Sequence, residues 1–405
     1  MMQIKPILAA LRRHRLATAL IAMEIALACA VLCNACFLIA NQLQGMRLCS
    51  GVDEASLALL DLTGYDNATA VDLNARMLSG LRTIPGMQSV SVINTVPFGP
   101  QEGAVGITLD AGGRHHGGTV DLYIGGPGSL QALGLRLIAG QAPRPEDYGV
   151  TDNLIPTDNS VLVTRALAEH LWPSVDPLGK EFWCDKYHFR VIGVIDHLAI
   201  ARPGSRGPDS SDWSVFVPAQ PGAHFSGKYL LRADPKDLPR VLHDARADVA
   251  RLAPGVVVDY ADSQTVSDLR HAYFERDRAM VGILVGVIMA LLLVTALGIV
   301  GLSSFWVMRR RKQIGIRRAV GATRSDILRY FQTENFLIVG FGIVLGMVLA
   351  IVVNGVLMQY FEVSRLPLWY LPIGAVALWV LGQLAVLAPA LRAANVPPVV
   401  ATRSV

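Results

Sequence analysis

The residues best equipped for chemistry in this 405-residue chain are nine histidines, five cysteines and one carboxylate set inside an apolar run. His115-His116, Asp196-His197, His224 and His243 are candidate ligands or bases, yet none shows a metal-site spacing such as His-x3-His, and they read as solvated or structural. No Gly-x4-Gly-Lys-Ser/Thr occurs, because neither Gly179-Lys180 nor Gly227-Lys228 is followed by Ser or Thr. A phosphate-cradling loop needs those residues in that order, so any ATP hydrolysis is expected from a separate chain, with ATP and Mg bound there. No Gly-x-Ser-x-Gly elbow marks a nucleophile. Neither catalytic residues nor a metal or cofactor site are expected.

The cysteines and the embedded acid fit a membrane setting better. Cys29, Cys33 and Cys36 fall in one apolar run, where small thiols pack between helices. Cys49 and Cys184 lie outside it and could pair in an oxidising compartment. Glu24 sits within the same run, where a carboxylate costs a few kcal/mol. It is expected to bond a neighbouring helix, to lie in hydrated headgroups about 13 Å from Arg15, or to serve function. Gly282 and Gly286, like Gly342 and Gly346, have the four-residue spacing that lets helices approach, within one subunit or at a dimer seam.

These residues require elements that cross a bilayer. A hydrophobic fraction of 52% and a mean hydropathy of +0.41 indicate apolar blocks, and four runs reach the roughly 20 residues a span needs. They give helices at 16–40, 279–308, 336–358 and 368–390. The first is too long for a signal-peptide core and lacks a clear cleavage site, so it reads as an uncleaved anchor. Lys5, Arg12, Arg13 and Arg15 precede it, and eight Lys or Arg from Arg309 to Arg329 follow the second span against the single acid Asp326. The connection 359–367 has only Arg365, and the tail 391–405 has Arg392 and Arg403. Basic residues stay on the cytoplasmic side. Both tails, 1–15 and 391–405, and the segment 309–335 are therefore expected inside, and residues 41–278 outside. The net charge of +4 follows from this asymmetry and gives no reason to invoke nucleic acid.

The external segment repeats one pattern. Strand Ser56–Leu62, helix Ala68–Leu81 and strand Ser89–Val96 are mirrored by strand Lys228–Arg232, helix Leu238–Leu252 and strand Val256–Tyr260, the last two joined by Pro254-Gly255. Two such units predict an α+β domain of ferredoxin-like type, split by a second subdomain at about 106–221. That insert shows strands at Val120–Ile124, Ser160–Val163, Phe189–Ile195 and Ser214–Val217 and a helix at Thr164–Leu171, with Gly112–Gly118 and Pro203–Pro208 as loops. The fold class is a membrane protein: four transmembrane α-helices with a large α+β periplasmic domain between the first and second.

The most specific stretch follows the second span: Val307-Met-Arg-Arg-Arg-Lys-Gln-Ile-Gly-Ile-Arg-Arg-Ala-Val-Gly-Ala-Thr-Arg-Ser-Asp326, continuing to Phe331 and Glu334. Thr323 or Ser325 can cap a helix that begins near Asp326, and Ile314, Ile316 and Val320 offer an apolar surface among arginines. Topology charge alone would not require the interleaved small residues Gly315, Ala319, Gly321 and Ala322. This stretch resembles the FtsX-like permease family, and the layout resembles its MacB-type branch of ABC transporters. The match covers Ile314, Gly315, Ile316, Arg317, Arg318, Ala319, Gly321 and Ala322, with Gln313 where the family commonly has Glu. Leu133–Gly140, Val161–Pro173, Asp176–Lys180 and Val191–Asp196 resemble the family's periplasmic core domain, and Pro389–Pro398 its ending.

The resemblance implies a permease subunit of an inner-membrane ABC transporter that works by mechanotransmission. Residues 313–322 would contact a cytoplasmic ATPase dimer, and closure there would move the external domain through long helices. A second permease copy and membrane lipid are implied partners, and a periplasmic adaptor and outer-membrane channel are candidates. The uncharged run from Ala279 to Met308 would extend about 45 Å as a helix, against a hydrocarbon core of about 30 Å. The competing reading is an FtsX-like regulator that activates a periplasmic cell-wall hydrolase. The cargo of an exporter is not specified by the sequence.

Overall fold

A computed structural model describes residues 15–150, 155–205, 207, 209–361 and 365–395. Lys5, Arg12, Arg13 and Arg403, invoked for topology, lie outside them, as do 1–14 and 396–405. Residues 45–276 form one compact unit, and the long apolar helices form another.

The chain enters through helix α1 (Arg15–Met46) and then builds the large unit. Strand β1 (Leu57–Thr63), helix α2 (Ala70–Leu81) and strand β2 (Met87–Val92) make its first layer. Next come β3 (Ala104–Thr108), β4 (His116–Gly125), α3 (Ser129–Leu133), β5 (Leu137–Gly140), β6 (Gly149–Val150), β7 (Asp158–Thr164) and α4 (Arg165–Leu171). Strands β8 (Glu181–Cys184), β9 (Tyr187–Ile195) and β10 (Ser214–Gln220) complete the insert. Strand β11 (Lys228–Ala233), helix α5 (Leu238–Leu252), the short β12 (Val257–Val258) and helix α6 (Val266–Tyr273) close the unit.

The two strand-helix-strand units interleave. Their antiparallel sheet has the order β12-β1-β11-β2, so each unit's strands are separated by a strand of the other, as in a split βαβ fold. Leu73, Met77 and Leu81 of α2 and Val241, Leu242, Ala245 and Val249 of α5 recur at helical spacing and are buried with the sheet residues Leu60, Val90 and Leu231. The insert runs β4-β3-β8-β9-β7-β10, and β10 also pairs with β4 in parallel register from Ser214↔Asp121 to Pro218↔Gly125. Six strands thus close into a barrel, which leaves no open edge in that ring. Phe182 and Phe189 stack in its core with centroids 5.0 Å apart.

Two expectations are corrected here. Gly117 and Gly118 belong to β4, not to a loop. A Cβ on Gly117 would stand 2.9 Å from a Leu171 methyl, and Gly118 has φ +96° with the Trp213 ring 2.8 Å from where its Cβ would be. Glycine there signals close packing rather than a turn. Cys49 and Cys184 are both free. Cys184 ends β8, opposite Tyr187, and packs on the core that contains Phe182, whereas Cys49 is exposed beside Leu48, whose carbonyl is held by Arg270. The fold commits the two residues to different places.

The second unit contains α1, α7 (Glu275–Arg309), α8 (Arg311–Ala319), α9 (Arg324–Phe361) and α10 (Tyr370–Ala394). Helices α1, α7, α9 and α10 are long and apolar enough to cross a membrane. At 35 residues, α7 extends about 52 Å and outruns a hydrocarbon core of about 30 Å. The segment 309–335, expected as one coupling loop or helix, divides: α8 takes its first part, and α9 already begins at Arg324. Asn34 Nδ2 donates to the Ala350 carbonyl at 3.1 Å and Asn335 Nδ2 to the Gly382 carbonyl at 2.8 Å, tying α1 to α9 and α9 to α10. Such bonds hold helices in an apolar medium, where water does not compete.

In the large unit, Lys228 Nζ lies 3.2 Å from Asp61 Oδ2 and also bonds Glu102. Burial pushes the Asp61 carboxyl up to about 6, against the pull of Lys228. For Lys228 burial works downward, but its bonds to Glu102 and Asp61 outweigh it and raise its value. An unfolded Asp titrates near 3.9, so the folded state binds this proton more tightly, and the stability so gained is full below about 4 and lost as pH rises through about 6. Asp61→Asn should therefore gain stability relative to the parent between pH 4 and 7, by on the order of 2 kcal/mol, in thermal melts followed by tryptophan fluorescence. A change of the opposite sign would mean that Lys228 holds Asp61 ionised throughout.

Candidate functional site in the loop between α7 and α9

The loop is built from two capping motifs. Helix α8 ends with Gly321 at φ +106°, its N–H bonded to the Arg318 carbonyl at 3.2 Å, while Ala322 N–H reaches the Arg317 carbonyl at 3.0 Å. This is the Schellman pattern, in which a left-handed residue closes the helix, and it accounts for glycine at position 321. One residue further on, Thr323 Oγ1 accepts from Asp326 N–H at 3.2 Å and Asp326 Oδ2 accepts from Thr323 N–H at 3.0 Å. This reciprocal capping box starts α9 and selects Thr323 over Ser325 as the cap.

Packing then fixes which face of α8 is free. Ile314 is buried with Val307 of α7, Ile327 and Phe331 of α9, and Ala390, Ala393 and Ala394 of α10, and Ala322 packs on the same cluster. Gly315 is buried beside Ile314. Gln313, Ile316, Arg317 and Val320 follow the i, i+3, i+4, i+7 spacing of one helical stripe, and all four are exposed. Ile316 is 49% exposed and Val320 84%. Arg317 lies over the Tyr330 ring, 5.0 Å from its centroid, which holds its guanidinium against α9. Arg318 is half-buried and Ala319 exposed.

An ion pair beneath the loop joins the helices. Arg310, between α7 and α8, places Nη1 2.9 and 3.1 Å from the two carboxylate oxygens of Glu334 in α9. Its guanidinium carbon also stands 5.7 Å from the Trp306 ring centroid. The Glu334 side chain is 2% exposed and that of Arg310 16%. A charge pair this dry resists separation, because either partner alone would be a buried charge.

The loop residues expected to contact an ATPase thus separate into two groups. Ile314, Gly315, Gly321 and Ala322 shape or anchor the loop within the fold. Gln313, Ile316, Arg317 and Ala319 remain available, joined by Val320. Sequence reasoning assigned Arg310 to topology and gave Glu334 no role. The signal was an acid just before the apolar run that starts at Phe336.

The other singled-out residues lie apart from this loop. A Cβ on Gly342 would stand 2.9 Å from the Ala22 carbonyl oxygen, and one on Gly346 would collide with Cys29, so this pair seats α9 against α1. Around Gly282 and Gly286 on α7 there is open space. Glu24 rests against α7 at Gly298, where a Cβ would lie 2.7 Å from its Oε2.

The dry pair gives a stability prediction. Glu334→Ala should cost about 3–5 kcal/mol, while Arg310→Met combined with Glu334→Met should recover most of that loss. Thermal unfolding of the purified chain in detergent checks both, and a double variant no better than the single would show that the pair contributes little.

Comparison with known proteins follows this architecture. Residues 285–398 match the FtsX-like permease C-terminal family. The chain is 26% identical over 200 residues to the macrolide export ATP-binding/permease protein MacB of Bdellovibrio bacteriovorus, covering 47% of this chain and 30% of that protein. It is 26% identical over 248 residues to the pyoverdine export ATP-binding/permease protein PvdT of Pseudomonas putida, covering 60% and 36%. The chain thus spans about a third of the length of these relatives. The periplasmic region of MacB from Actinobacillus actinomycetemcomitans aligns at 14% identity and TM-score 0.36, over 56% of this chain and 97% of that one. With four apolar helices, a capped basic loop between the second and third, and a β-rich domain inserted after the first, the chain is similar to MacB-type proteins, and its residues 285–398 match the FtsX-like permease C-terminal family.

Proposed function

We propose that this chain is the membrane subunit of an ABC exporter of the inner membrane, and that the exposed stripe Gln313, Ile316, Arg317 and Val320 docks a cytoplasmic ATPase that supplies ATP and Mg chemistry. The observation that carries this reading is the helix α8 itself. Its inner face is fixed to α7, α9 and α10, while its outer face shows two large aliphatic side chains beside an oriented arginine. Exposed apolar groups ringed by charge mark a contact surface, and Arg317 suits a carboxylate on the partner. Gln313 replaces a charge with a neutral amide at the stripe's edge, so the contact there is a hydrogen bond.

In this reading both tails face the cytoplasm and the large unit lies in the periplasm, as the basic residues dictate. Closure of an ATPase dimer shifts α8, and the rigid attachment passes that shift into α7 and α9. Two permease copies face the dimer, and Gly282 and Gly286, with open space around them, are small residues available for their meeting or for lipid. The relatives' names specify macrolide and pyoverdine export for those proteins. For this chain the cargo class is a compound expelled outward. A periplasmic adaptor and an outer-membrane channel are the partners such a route needs.

The test is co-purification with the ATPase. Ile316→Glu combined with Val320→Asp, or Arg317→Glu alone, should leave the chain inserted and folded yet reduce the recovered ATPase at least about tenfold. Arg324→Glu, off the stripe at the start of α9, should leave recovery near the parent level. Full recovery with the stripe variants would sink the docking assignment.

A further inference from the structure

Within the large unit, Arg270 of α6 reaches more partners than ion-pair strength alone would need. Its Nη1 donates to Glu54 Oε1 at 2.6 Å. Its Nη2 donates to the carbonyls of Met46 and Leu48, both at 2.8 Å. The face of its guanidinium lies 5.0 Å from the Phe98 ring centroid and 5.9 Å from that of Phe274. Glu54 is held in turn by Ser50 Oγ at 2.5 Å.

The places these partners occupy give the arrangement its meaning. Met46 is the last residue of α1, and its carbonyl is at the negative end of that helix. Arg270 lies one turn before Phe274, after which α7 begins at Glu275. Phe98 takes φ +65°, a conformation that non-glycine residues rarely adopt and that persists only where the surroundings enforce it. Its ring packs on Tyr273 and Phe274, with centroids 5.7 Å away in both cases. One guanidinium therefore ties the chain leaving the first span to the chain entering the second.

We infer that Arg270 is a positioning residue that locks the end of α1 to the start of α7, so that the two spans act as one lever. The lock is a matter of geometry, not charge alone. A planar fork can meet a carboxylate and two carbonyls together while its face stacks on aromatic rings, and an ammonium group cannot. Use of the joint as a lever rests on the coupling proposed above, whereas the joint itself does not.

A neighbouring contact supplies the readout. Gln42 Nε2 lies 3.6 Å from Met280 Sδ, so α1 and α7 touch just before the joint. With the native cysteines replaced, Gln42→Cys and Met280→Cys should form a disulfide rapidly in the full chain under mild oxidation, without nucleotide or ATPase. Adding Arg270→Met should slow that reaction about tenfold while the large unit's thermal midpoint stays within a few degrees, and Arg270→Lys should restore it only in part. If Arg270→Met does not fold, Glu54→Gln, which keeps shape and removes charge, should slow the reaction by a smaller factor. An unchanged rate in a folded Arg270→Met chain, or in Glu54→Gln where Arg270→Met fails to fold, overturns the inference. Because no ATPase is present, failure of docking at α8 leaves this result untouched.

Discussion

Burial of the Arg310–Glu334 pair is the constraint on which the α8 end of the helix bundle depends. At the protein surface such a pair would be worth little, since water and salt compete for both charges. Here Glu334 sits among the apolar residues of α9, so leaving Arg310 would strand its charge. The pair thereby fixes the direction in which the chain leaves α7, and α8 can start only where Arg310 puts it. The aliphatic cluster around Ile314 and the caps at Gly321 and Thr323 complete the same constraint from the other end.

A different solution holds the large unit together. Its sheet is assembled from two strand-helix-strand units far apart in sequence, and the intervening chain closes into a barrel before returning. Closure removes edges that could pair with another chain. Polar groups are placed where the parts meet: Lys228 with Asp61 and Glu102, and Arg270 with Glu54 and two carbonyls. Both knots lie beside backbone that enters or leaves a layer.

Much of this was legible in the sequence, for reasons particular residues make clear. Helix α5 shows its apolar stripe from Leu238 to Val249 so regularly that its reading and its observed limits coincide. The apolar runs announce the four long helices through length alone. What escaped was whatever depends on distant neighbours. Strands β3, β5, β6 and β8 are short, β5 lies off the main path of the sheet and β6 at its end, so local alternation was weak. Gly117 and Gly118 looked like loop residues because glycine signals a turn and a tight approach equally well. In the candidate site, the motif was visible but its division was not. Only the fold shows that Gly315 faces inward, that Gly321 ends a helix, and that Val320 stands exposed. The partnership of Arg310 with Glu334 spans 24 residues, and no periodicity reports it.

The account's central claim is that α8 and α7 move as one body because the buried ion pair joins the bundle beneath them. Spin labels at Lys312 and Met289, both exposed and off the docking stripe, would report the distance between these helices in the full chain with the proposed ATPase bound. The account predicts the same distance distribution without nucleotide and with ATP, and a broadened one when Glu334 is changed to Ala. A shift of several ångströms on adding ATP to the parent protein would show that α8 moves independently of α7, and would contradict it.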